Sequence, residues 1–78
     1  MPAIPEYHDL TPEALDALEL AVRERRRVAL RRRGNEYVVV AMRLETGPRD
    51  EILEGMLPMT GEILAFPLRE LETFAVLP

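Results

Sequence analysis

Val28-Ala29-Leu30-Arg31-Arg32-Arg33-Gly34-Asn35-Glu36-Tyr37-Val38-Val39-Val40-Ala41-Met42 is the stretch that decides the fold. Val28 to Arg31 alternates apolar and polar with a period of two. Tyr37 to Met42 is β-branched and aromatic, and Gly34-Asn35 between them is a turn signal. The pattern predicts a β-hairpin. Its second strand is apolar on both sides, with Val38, Val40 and Met42 on one and Val39 and Ala41 on the other. Both faces therefore need cover, from another element or from another copy of the chain.

Upstream of the hairpin, Leu10-Thr11-Pro12-Glu13 is a helix start, with Thr11 as N-cap and Pro12 at the first helical position. Ala14, Leu15, Leu18, Ala21 and Val22 recur at three- and four-residue steps, which predicts an amphipathic helix over 12–25. Asp16, Glu19 and Arg23 then face water. Downstream, Gly47-Pro48-Arg49-Asp50 and Thr60-Gly61 punctuate the chain. Strands are predicted at Ile52 to Met59, at Glu62 to Phe66 and, after a helical turn at Pro67 to Leu71, at Glu72 to Leu77. Gly55 inside a strand marks a bulge or a tight bend.

One helix and five short antiparallel strands make a mainly β fold. The expected form is an SH3-like or Sm-like small barrel, capped by the N-terminal helix through Leu15, Leu18 and Val22. An open sheet covered on one face is the alternative. Residues 1–9, with Pro2 and Pro5, form an extended arm, and 10–78 form a single domain.

The totals agree with that plan. Seventy-eight residues and 8.9 kDa leave room for one small core, and 47% hydrophobic with 31% charged residues is the composition of a folded domain. No Cys is present, so neither a disulfide nor a thiolate metal site staples the core. No apolar run approaches the roughly 20 residues of a membrane span. The N-terminus carries no secretory pattern, and a cytoplasmic location is expected. All ten basic residues are Arg, while Lys, Ser, Gln and Trp are absent, as in a GC-rich and thermophilic genome.

The formal charge of −4 is segregated. Residues 1–22 carry five acids and no base, 23–33 carry seven arginines against Glu24, and 34–78 carry three arginines against eight acids. Chemistry is poorly supplied. There is no Ser or Cys nucleophile, Thr46, Thr60 and Thr73 fall at turns or strand ends, and the one imidazole, His8, lies in the arm. The expectation is that the chain is not an enzyme and has no cofactor. A single His and scattered carboxylates match no metal-ligand spacing, Asp50 to Glu54 lacks the calcium-loop pattern, and the four glycines are too far apart for a phosphate loop. The pairs Glu70/Glu72 and Asp50/Glu51 read as solvated faces.

The run from Arg23 to Arg33 is the sharpest charged feature. Arg25, Arg26, Arg27, Arg31 and Arg33, with Tyr37 to stack on a base, are candidates for binding single-stranded RNA or DNA. The same arginines are also natural partners for acids of the same chain or of a second copy in a homo-oligomer.

Asp16-Ala17-Leu18-Glu19-Leu20-Ala21, Arg27-Val28-Ala29-Leu30, Gly61-Glu62 and Pro67-Leu68-Arg69-Glu70-Leu71-Glu72 resemble motifs of the Rho-binding antiterminator family. Those proteins carry an Sm-like barrel behind an acidic helix. The resemblance implies a protein that binds the Rho transcription termination factor through acidic residues and hinders its access to RNA, with Asp16 and Glu19 at the matching positions. Leu20 to Leu30 and Phe66 to Leu71 also resemble the WYL domain, another Sm-like barrel, without its Trp-Tyr-Leu motif. The leading expectation is a non-catalytic module that regulates transcription or RNA metabolism by docking a protein partner through Asp16 and Glu19. Direct nucleic-acid binding through the arginine run and a structural homo-oligomeric role are the alternatives.

Overall fold

A computed structural model describes residues 4–48 and 50–78. The first three residues of the predicted arm and Arg49 of the predicted Gly47–Asp50 turn lie outside them. Helix α1 spans Pro12–Glu24. Thr11 caps it as its sequence predicts, with Oγ1 accepting from the Ala14 N–H at 3.2 Å, a bond worth about 1 kcal/mol at such a position. The helix stops at Arg25, which adopts a left-handed conformation with φ 54°. The Arg25 N–H donates to Val22 O and the Arg26 N–H to Ala21 O, a Schellman closure in which Arg stands where Gly is commoner. The Arg25 guanidinium also donates to the Met42 carbonyl, tying the helix end to the sheet.

The strands are β1 Arg27–Arg32, β2 Asn35–Thr46, β3 Glu51–Met56, β4 Ile63–Pro67 and β5 Leu71–Val76, with a 3-10 turn at Leu68–Glu70 before the last. All pairings are antiparallel, in the order β4-β3-β2-β1-β5. The decisive hairpin forms one residue earlier than Gly34-Asn35 suggests. Arg32 pairs with Asn35, so Arg33 and Gly34 are the two loop residues, with φ 52° and 77°. Positive φ at both central positions is the type I′ geometry that matches the twist of the flanking strands, and Gly34 supplies the second position without strain.

β2 outlasts the predicted strand. A register shift between Ala41 and Arg43 lets Leu44 pair with Leu53 and carries the strand to Thr46. β3 is shorter than predicted, because Leu57 donates to Glu62 O and Gly61 to Leu57 O, closing the turn around Pro58. Gly55 is buried opposite Ala41, beside that shift. A Cβ there would lie 2.8 Å from Val39 Cβ, so the close approach of the two strands requires glycine.

One side of the sheet faces the core. Val28, Leu30, Val39, Leu53, Phe66 and Phe74 are at most 2% exposed, and Ala14, Leu18 and Ala21 of α1 close over them. Leu15 and Val22, predicted with Leu18 to form the cap, are partly buried against the same cluster.

The mainly β, helix-capped, five-stranded antiparallel fold is as the sequence predicts, but the sheet is not closed into a barrel. Among the described residues no ladder joins β4 to β5. The free edge of β5 is occupied by the arm: Tyr7 N–H donates to Phe74 O at 2.8 Å, Phe74 N–H donates to Tyr7 O at 3.0 Å, and the two rings stack 5.2 Å apart. β4 is only five residues long and ends at Pro67, which has no N–H to extend a ladder. Arg32 fills the gap between the edges. Its guanidinium lies 5.7 Å from the Phe66 ring centroid, and its Nε is 3.4 Å from Glu70.

Candidate functional site

The outward side of α1 is built by the same periodicity that buries its other side. With Ala14, Leu18 and Ala21 turned to the core, Glu13, Asp16, Glu19 and Leu20 are left exposed. Asp16 and Leu20 are one turn apart on one face, and Glu19 is beside them. Among the described residues no ion pair reaches Glu13, Asp16 or Glu19. Arg23, one turn on from Glu19, makes no ion pair with it, and Glu19 stays open to solvent. Leu20, 44% exposed, follows Asp16 by one turn and adjoins Glu19 in the chain. The surface is thus an acidic helix face with an exposed leucine at its C-terminal edge. Leu20 is the residue that sequence reasoning left out. It falls outside the buried stripe, and that position was the signal available.

The arginine run is divided by the fold. Arg25, Arg26 and Arg27 lie where α1 passes into β1, whereas Arg31, Arg32 and Arg33 lie at the far end of β1, about 16 Å away at about 3.3 Å per residue. Most are already engaged. Arg26 Nε sits 2.6 Å from Glu24, Arg31 is 2.8 Å from its cross-strand partner Glu36, and Arg32 and Arg33 both face Glu70, at 3.4 and 3.9 Å. Glu72 accepts from the Gly34 N–H at 2.7 Å, so acids of β5 and the preceding turn surround the hairpin tip.

Tyr37 does not share a face with Arg31. The register sets Tyr37 beside Leu30 on the core side, with its ring edge-on to Phe66 at 5.3 Å, while Arg27, Ala29 and Arg31 point to the other side of β1. The proposed stacking residue and its phosphate ligands are therefore not brought together.

Two depressions mark the surface. One, of about 120 Å³, lies over the outer side of β1 between Val38 and Thr73, with Arg31, Glu36 and Glu6 at its rim. The other, about 480 Å³ and open, lies along Arg43 to Gly47 and Asp50 at the β2–β3 turn. The first holds Thr73 with Glu6 and Glu36 and the second Thr46 with Glu45 and Asp50, and among the described residues neither threonine hydroxyl is hydrogen-bonded to a carboxylate. Among the described residues no group of three or more His, Asp or Glu side chains is placed to hold a metal ion. No helix among them is long and apolar enough to cross a membrane. His8 lies beside Glu6 at 3.5 Å on the exposed arm.

No protein-family model, curated protein or solved structure matches this chain.

Proposed function

We propose that this chain is a non-catalytic binding module that docks a protein partner through the outward face of α1. The observation that carries the reading is the placement of Asp16 and Glu19, exposed and without an ion-pair partner among the described residues, next to the exposed Leu20. Unpaired carboxylates steer a basic partner surface, and the adjoining leucine adds apolar area to that contact. The arginines are a weaker basis for function, because most already face acids of the same chain and would have to give them up to phosphate.

The partner class proposed is a transcription termination factor of the Rho type, in keeping with the acidic-helix resemblance, and the biological role is regulation of transcription or RNA metabolism. The test is calorimetric titration of purified Rho factor with the natural chain and with Asp16→Arg plus Glu19→Arg. Reversal of two charges in one interface is expected to weaken binding by about 100-fold or more, while circular dichroism and the melting temperature stay unchanged, since neither side chain is packed. Equal affinity of the two proteins would refute the reading.

A further inference from the structure

The side of the sheet turned away from α1 carries an apolar band of its own. The register Arg27–Val40–Met56–Ile63 runs as one row across β1, β2, β3 and β4. These residues alternate with Val28, Val39 and Gly55, which face the core, so the whole row lies on the outer side. Val38 lies beside it, two residues from Val40 on the same side. Val38 is 45% and Ile63 55% exposed, against 0% for Val39 on the inner side of the same strand.

Two charges border this band without a partner among the described residues, Arg27 on β1 and Glu54 on β3. The register neighbour of Glu54 is Arg43, whose guanidinium is taken by Glu45 at 3.0 Å. Arg27 and Glu54 are of opposite sign, two strands apart and offset by two residues along the strands, roughly 12 Å at about 4.8 Å per strand spacing and about 3.3 Å per residue, with β2 between them.

We propose that this face is the interface of a two-fold dimer of the chain. A two-fold axis running in the plane of contact, past Val40 and midway between Arg27 and Glu54, sets Arg27 of each copy against Glu54 of the other. It also stacks the two bands of Val38, Val40, Met56 and Ile63. The surface is self-complementary in charge as well as apolar, as an isologous interface requires. The pairs Arg31–Glu36 and Arg43–Glu45 are already neutralised and fall at the rim. α1 lies on the opposite side of the sheet, so the dimer displays two acidic helices, and dimerisation stands whether or not those helices dock a partner.

Sedimentation equilibrium of the full chain over a range of concentration tests this. The natural protein is expected to approach twice 8.9 kDa. Arg27→Glu and Glu54→Arg are each expected to return it to the monomer mass, and the two together to restore the dimer, because the swapped charges pair again across the axis. Ile63→Asp, at an exposed position where folding is not at stake, is expected to give a monomer regardless of charge. A natural protein that stays monomeric, an assembly of another size, an assembly indifferent to the single reversals, or a double variant that remains monomeric would each overturn the proposal.

Discussion

The outward side of α1 and the β1–β2 hairpin are the two most charged regions of the molecule, and they handle that charge differently. In the hairpin, Arg31 meets Glu36 across the strands and Arg32 and Arg33 meet Glu70. On the helix, Glu13, Asp16 and Glu19 project from a scaffold held only on its other side. The difference is one of geometry. A two-residue loop folds the strands back so that the cross-strand Glu36 and Glu70 of the turn before β5 fall within reach of the arginines, whereas a lone helix above a sheet has no neighbour on its outer side. Charge density in the sequence therefore ranks these regions in the wrong order. The hairpin is denser, and the helix keeps the more available charge.

The comparison can be broken most forcefully from beneath the helix. Leu18 is fully buried and Leu20 is 44% exposed, although they are two residues apart. Leu18→Ala is expected to cost about 3 kcal/mol of unfolding free energy, within the range for a buried leucine. Leu20→Ala is expected to change stability by no more than about 0.5 kcal/mol and to weaken partner docking instead. Urea denaturation of the two variants gives the contrast, and equal losses would place Leu20 in the core.

The hairpin has its own support in the contact of Gly55 with Val39. Gly55→Ala puts a methyl group inside the Val39 side chain and is expected to destabilise by about 2 kcal/mol, as overpacked cores do. A neutral result in thermal melts would mean that β2 and β3 separate more easily than their register implies.

The smallest expected effect has the opposite sign. Arg33 holds φ 52° at the first loop position, where a residue with a Cβ is disfavoured by about 1 kcal/mol and Asn is better tolerated. Among the described residues its one ion contact is the 3.9 Å approach to Glu70. Arg33→Asn is expected to raise stability by about 0.5 kcal/mol. A loss of that size would show that Arg33 contributes to the hairpin through Glu70 despite the backbone cost.

Much of this architecture is legible in the chain itself. The Thr11-Pro12 start, the three- and four-residue spacing from Ala14 to Val22 and the alternation around Gly34 locate the helix and the hairpin, because each is a local signal. What escapes the sequence is set by contacts distant in the chain. The sheet stays open because Tyr7 reaches the edge of β5 at Phe74, and nothing in the irregular stretch around Tyr7 signals that bridge. β2 runs on to Thr46 because a register shift after Ala41 restores its pairing with β3. The pairing of the arginines depends on β5 and the turn before it lying beside β1. The side that Tyr37 takes is hidden for a similar reason: the alternation fixes that Tyr37 and Val38 face opposite sides, but only the packing against Phe66 shows which side is the core.

The central claim is that the acidic face of α1, and not the arginine hairpin, receives the partner. The most direct measurement is an NMR titration of the isotope-labelled chain with purified Rho factor, following every backbone amide. The account predicts shifts or broadening concentrated at Glu13, Asp16, Glu19 and Leu20, weakening as salt screens the carboxylates, with Arg31, Arg33 and Gly34 unmoved. Perturbation centred on the hairpin, or none on either region at saturating partner, would contradict it.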